Sequence, residues 1–173
     1  MSWSRVGFSS ALLLFFFIVQ EAAVSKINFP IAGFSLYICV VLGLMALEDR
    51  FGAISFGFMA GIVLDFSPSS DSPFGKWALI LTIIGYLFSR NRESIGDFTE
   101  RPMAFVLFVT AGATVTLLIF LVVGIVLGEN NGSMLNNLKT VFGNGIWTLL
   151  FSSILLPIIV KLRALTLSSR ERI

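Results

Sequence analysis

Residues 51–89 read FGAISFGFMAGIVLDFSPSSDSPFGKWALILTIIGYLFS, and this stretch decides how the chain folds. It holds two apolar segments, residues 51–66 and 76–89, joined by a short turn with two prolines. Proline ends a helix because it lacks a backbone N–H and clashes with the preceding turn. The stretch therefore predicts two short helices connected by a tight corner.

Four further apolar segments flank this pair, two on each side. The predicted helices are 6–24, 31–47, 51–66, 76–89, 102–127 and 140–160, with a basic tail at 161–173. A helix needs about 20 apolar residues to cross a bilayer. The first, fifth and sixth segments reach that length, the second is at its lower limit, and the central two are short. The chain is 56% hydrophobic and 13% charged, with a mean hydropathy of +0.93. We predict one all-α integral membrane domain with six transmembrane helices.

The basic residues indicate the orientation of these helices. With the N-terminus inside, nine of the twelve Lys and Arg residues fall in inside segments and three in outside segments. Because short cytoplasmic loops collect Lys and Arg, both termini are predicted to be cytoplasmic. A re-entrant hairpin formed by residues 51–89 would leave this count unchanged. The net charge is only +2, and no basic patch with interleaved aromatic residues indicates nucleic acid as a partner.

The third predicted helix carries small residues on one face. Gly57, Gly61 and Asp65 are four residues apart, so they share a face of a helix. Small residues at this spacing let two helix backbones approach closely in a membrane. We expect this face to pack against another helix of the same chain. Contact with a helix of another protein is the alternative.

Asp65 is an acidic residue inside an apolar segment. A carboxylate at membrane depth is costly and is a functional candidate by default. Two simpler interpretations are that water reaches it or that the serine-rich turn hydrogen-bonds to it. A carboxylate at the end of a helix opposes the helix dipole, so we expect Lys76 or the N-terminus of the fourth helix to compensate. Such a contact would make a rigid corner from Pro68, Pro73, Phe74 and Gly75.

The sequence lacks the residues of familiar catalytic sites. It has no histidine, so it cannot form a Ser-His-acid triad or a histidine metal site. It has neither a phosphate-binding GxxxxGK[ST] loop nor a GxSxG nucleophile elbow. We therefore predict that the protein is not an enzyme and uses no metal or cofactor.

The centre of the chain resembles a known family. Residues 57–66 (GFMAGIVLDF), the proline-containing turn, Phe74-Gly75, and residues 79–87 with Gly85-Tyr86 resemble the rod-shape-determining membrane protein MreD. The flanking helices carry no diagnostic motif, and they fit the family in length only. The matching positions are Gly57, Gly61, Asp65, Pro73, Gly75, Gly85 and Tyr86.

The resemblance implies a non-enzymatic scaffold in the bacterial cytoplasmic membrane, required for cell shape and lateral peptidoglycan synthesis. Such proteins associate with the bitopic protein MreC, and through it with the glycosyltransferase RodA, a class B penicillin-binding protein and the actin homologue MreB. Their fold is similar to that of the six-helix substrate-binding components of energy-coupling-factor transporters. The resemblance implies helix packing or partner contact for Gly57, Gly61, Asp65, Gly85 and Tyr86.

The same similarity of fold leaves a second interpretation open. The chain could itself be the substrate-binding component of a vitamin-type transporter. A binding pocket needs a few convergent polar groups among apolar walls. The apolar segments offer few of them, chiefly Thr82, Thr110, Thr114, Thr116 and Asn144.

Overall fold

The computed structural model describes residues 3–26, 34–68, 72–95, 102–129 and 132–166. These residues form six α-helices and a short 3-10 helix, and they contain no strand. The prediction of an all-α protein is confirmed. The elements are α1 (Trp3–Ala22), the 3-10 helix (Val24–Lys26), α2 (Leu36–Leu47), α3 (Arg50–Asp65), α4 (Lys76–Ile95), α5 (Pro102–Val126) and α6 (Met134–Thr166).

Three helices differ in length from the apolar segments that predicted them. α4 continues to Ile95 and α6 runs from Met134 to Thr166, because charged and polar residues extend a helix as well as apolar ones do. α2 begins only at Leu36, where the Ser35 hydroxyl accepts a hydrogen bond from the backbone N–H of Ile38 at 3.3 Å. Residues 31–33 of the predicted second helix and 167–173 of the predicted tail lie outside the described residues.

Helix α2 forms the centre of the bundle. Ten of its twelve residues are buried, from Tyr37 to Ala46. A helix that is apolar on all sides can be buried in this way. The contacts of Tyr37 show how α1 and α3 surround α2. The Phe17 ring of α1 meets the Tyr37 ring edge-on at 5.7 Å, and the Tyr37 hydroxyl donates to the Ala60 carbonyl of α3 at 3.2 Å.

Contacts between the helices show that successive helices alternate in direction. Trp77 and Phe88, near the start and towards the end of α4, pack against Phe120 and Phe108 of α5 respectively, so these two helices are antiparallel. The bundle therefore has two ends, which we name the Arg50 end and the Asp65 end after the first and last residues of α3. α3 and α5 start at the Arg50 end, and α4 starts at the Asp65 end.

The outside of the bundle is strongly apolar. Exposed large hydrophobic side chains occur on α1, α3, α4, α5 and α6. Every residue of α2 is buried or half-buried. Among the described helices, two are long and apolar enough to cross a bilayer, over Pro102–Val126 and Leu135–Lys161. α3 has 16 residues and rises only about 24 Å, short of the roughly 30 Å hydrocarbon core. That these two or any other helices cross a membrane stays a prediction.

Candidate functional site

The glycines of α3 lie directly against the backbone of α4. A Cβ atom built on Gly61 would come within 2.4 Å of the Ala78 Cα atom, and one built on Gly57 within 2.4 Å of the Leu81 carbonyl oxygen. Carbon atoms ordinarily pack at about 3.5–4.0 Å, so only glycine fits at either position. The predicted packing of this face against a helix of the same chain is confirmed.

Glycine serves the same purpose on the α4 side of the contact. A Cβ atom on Gly85 would lie 2.6 Å from the Ala53 carbonyl oxygen of α3. The methyl group of Met45, on α2, would be 2.6 Å from a Cβ on Gly57 and 3.1 Å from one on Gly85. Gly57, Gly61 and Gly85 thus let α3 and α4 approach each other closely, with α2 filling the groove that remains between them.

Asp65 caps the start of α4 from the end of α3. Its Oδ1 atom accepts the backbone N–H of Trp77 at 3.0 Å, and its Oδ2 atom accepts that of Ala78 at 3.1 Å. The residue before α4 is Gly75, which has no side chain to cap the helix and adopts a φ of +91°. The first N–H groups of a helix need acceptors, and its N-terminus favours a negative charge. The prediction that the N-terminus of the fourth helix compensates Asp65 is confirmed.

Lys76 pairs elsewhere, with an acid that was not predicted from the sequence. Its side chain is fully buried, and its Nζ atom lies 2.5 Å from Glu129 Oε2 and 3.6 Å from the centroid of the Phe120 ring. The ring of Trp77 stacks on Phe120 at 4.4 Å. Lys76 and Trp77, in the first turn of α4, therefore both pack against the Phe120 ring of α5. Glu129 stands two residues after the end of an apolar segment, a position that could have marked it, but no sequence pattern points to Lys76 as its partner.

The corner between α3 and α4 has both buried and exposed parts. The Pro73 carbonyl accepts the Lys76 N–H at 3.2 Å, so the turn leads straight into α4. The rings of Phe66 and Phe74 meet edge-on at 5.1 Å, and both are exposed. Pro68 is exposed as well.

Other side chains tie α1 to the same end of the bundle. The buried Ser67 hydroxyl donates to Glu21 Oε1 of α1 at 2.7 Å. Gln20 Oε1 accepts the Leu36 N–H at the start of α2 at 2.8 Å. Gln20 therefore does for α2 what Asp65 does for α4: a side chain near the end of one helix caps the start of the next.

Tyr86 lies apart from this cluster, towards the Arg50 end. Its side chain is 39% exposed, and the Arg50 guanidinium carbon is 5.3 Å from the centroid of its ring. Tyr86 follows Gly85 in the chain, but it contacts α3 through the Arg50 side chain and not through close backbone packing. The structure thus brings Gly57, Gly61, Asp65 and Gly85 together and leaves Tyr86 at the surface.

A second group of polar residues is buried on α6. Asn144, Thr148 and Ser152 are four residues apart and buried, and the Thr148 hydroxyl donates to Asn144 Oδ1 at 3.0 Å. On α5, Thr116 is also buried and donates to the carbonyl of its own helix at Gly112, at 2.7 Å. Thr116 and Asn144 are among the polar residues expected from the sequence; the row on α6 is not, although its spacing of four could have revealed it.

No protein-family model, curated protein or solved structure matches the chain. The resemblance to the MreD family therefore stays a prediction based on the residues of the α3–α4 hairpin. Within the ranges that the structure describes, no three acidic or cysteine side chains gather as a metal site would require.

Proposed function

We propose that the chain is a multi-pass membrane protein whose six helices lie in the bilayer with both termini in the cytoplasm. Three features support this. Five helices carry exposed apolar side chains, and successive helices alternate in direction. Of the nine basic residues in the described ranges, six lie at the Arg50 end and three at the Asp65 end; the six are Arg5, Arg50, Arg90, Arg92, Lys161 and Arg163, and the three are Lys26, Lys76 and Lys139. Short cytoplasmic loops collect such residues, which makes the Arg50 end the cytoplasmic one and the Asp65 end the outer one.

Within that membrane, the protein acts as a non-enzymatic scaffold of the bacterial rod complex. It binds MreC and, through it, RodA, a class B penicillin-binding protein and MreB. One observation carries this proposal: apart from Tyr86, the residues that resemble MreD lie together in the contact between α3 and α4 and in the corner that joins them. Gly57, Gly61 and Gly85 make the close contact of α3 with α4, while Asp65 and Gly75 make the capped corner.

The position of the glycines limits how such a scaffold meets its partner. Because α4 already covers the glycine face of α3, a partner helix contacts the outward face instead. Phe58 and Met59 lie on that face and are each about half exposed. A rigid hairpin holds these two side chains in place, which is the role we assign to the glycines and to Asp65.

The test is to capture the partner in the native host. A photo-crosslinking amino acid at Met59 is expected to give an adduct with MreC, and the tagged chain purified in mild detergent is expected to recover the cell-wall synthases. The matched control carries the same amino acid at Ile146, which is similarly exposed but on α6. Equal adducts at both positions, or recovery without MreC, would refute the scaffold proposal.

One observation favours the alternative of a transporter component. The buried row of Asn144, Thr148 and Ser152 supplies polar groups inside an apolar bundle, as a small-molecule site requires. The same purification distinguishes the two functions, because a transporter component would recover an ATPase pair with its coupling membrane protein.

A further inference from the structure

A cleft of about 350 Å³ opens on the outside of the bundle at the Arg50 end. It lies between the start of α5 and the C-terminal part of α6. Its walls are apolar except for one serine, and they include Met103, Phe105, Val106, Ser153, Leu156 and Val160.

The length of the cleft limits what can occupy it. Its α6 wall runs from Ser153 to Val160, which is about two helical turns or roughly 10 Å. The hydrocarbon core of a bilayer is about 30 Å thick. A transmembrane helix of another protein would need a groove along most of that depth, whereas part of one lipid acyl chain fits a short cleft that ends at the surface of the membrane.

The charge beside the cleft favours an anionic lipid. Lys161 is exposed and directly follows Val160, the last residue of the α6 wall. In the sequence, residues 161–173 contain four basic residues and one acidic residue. The first turn of α5, which forms the opposite wall, carries no acidic residue. A basic residue near the surface attracts anionic lipid by about 1 kcal/mol.

We propose that this cleft is a binding site for an anionic phospholipid of the cytoplasmic leaflet. One acyl chain fills the space between α5 and α6, and the phosphate group lies beside Lys161. The inference rests on the membrane orientation given under the proposed function, and it does not require the rod complex or any partner protein.

Native mass spectrometry of the purified full chain in mild detergent tests this site. The probes are phosphatidylglycerol and phosphatidylethanolamine with identical acyl chains. The unmodified chain is expected to retain phosphatidylglycerol more tightly. Ser153→Phe, which places a bulky ring in the wall of the cleft, is expected to abolish this retention. Ile154→Phe is the matched control, because it adds the same ring at the next exposed position, outside the cleft.

A charge reversal tests the headgroup contact separately. Lys161→Glu is expected to weaken phosphatidylglycerol binding at least roughly fivefold, the factor that corresponds to one basic residue near an anionic surface. Lys139→Glu changes an exposed lysine at the other end of α6 and is expected to have no effect. Equal retention of both lipids, or equal effects of Ser153→Phe and Ile154→Phe, would overturn the proposal. A failure of the rod-complex proposal would leave these results unchanged, because the assay contains no partner.

Discussion

Replacing Gly61 with alanine tests whether the close approach of α3 and α4 holds the hairpin together. In the interior of a helix, alanine is normally favoured over glycine by about 1 kcal/mol. At this position, however, the new Cβ atom would lie 2.4 Å from the Ala78 Cα atom and 2.6 Å from the Trp77 carbonyl oxygen. Both are backbone atoms, so neither can move aside without moving α4.

The size of the expected loss follows from these distances. Cβ contacts become ordinary at 3.4 Å, so the two helices must separate by about 1 Å. Overpacking of this kind costs about 1–3 kcal/mol. The two hydrogen bonds of Asp65, now 3.0 and 3.1 Å, would also exceed the usual limit of about 3.2 Å, and their loss costs about 2 kcal/mol more. After the helix-propensity gain is subtracted, we expect the free energy of unfolding to fall by about 2–4 kcal/mol.

Thermal unfolding in detergent measures this loss. For a chain of this size, 1 kcal/mol shifts the melting temperature by about 2–4 °C, so Gly61→Ala is expected to melt roughly 5–15 °C below the unmodified chain. Gly145→Ala is the matched control: its Cβ would meet only the Thr114 Oγ1 atom, at 3.3 Å. We expect that variant to melt at or slightly above the normal temperature. An unchanged melting temperature for Gly61→Ala, or equal losses for both variants, would show that the contact is not as tight as described.

Three further predictions concern the Asp65 end, and melting temperature is the measurement for each. Glu129→Ala leaves the Lys76 ammonium buried without its partner and is expected to lower the free energy of unfolding by about 3 kcal/mol. Adding Lys76→Met should recover most of that stability, and a double variant as unstable as Glu129→Ala would contradict this prediction. Asp65→Ala removes both acceptors and is expected to cost about 2 kcal/mol, whereas Asp65→Asn keeps one and should cost less. An unchanged melting temperature for Asp65→Ala would show that the cap contributes nothing. Gly75→Ala should cost about 1 kcal/mol of stability through backbone strain at φ +91°. Gly75→Asn should cost less, because asparagine tolerates positive φ. An unchanged melting temperature for Gly75→Ala would refute this prediction.

The hairpin could be predicted closely from the sequence because its signals are local. The spacing of Gly57, Gly61 and Asp65 defines a helix face, and a carboxylate at the end of a helix needs a donor nearby along the chain. Both expectations concern residues within a few turns of one another. The lengths of α4 and α6 could not be predicted as well, since apolar character marks where a helix is buried or lipid-facing and not where its backbone hydrogen bonds end.

The contacts between distant segments could not be predicted. Glu129 is 53 residues from Lys76, and no spacing rule connects them. The central position of α2 is a related case. Its residues are apolar on every side, which suits a buried helix and a lipid-facing helix equally.

The sequence by itself determined the helical class, the apolar character of the segments and the location of the corner, because these depend on composition, periodicity and residues close in the chain. Only the tertiary structure decided that α4 covers the glycine face, that Lys76 pairs with Glu129 and that α2 occupies the centre. Those outcomes depend on which apolar surfaces meet, and many pairings of six apolar helices would satisfy the same pattern. Steric fit between backbones and the need to pair each buried charge select one of them.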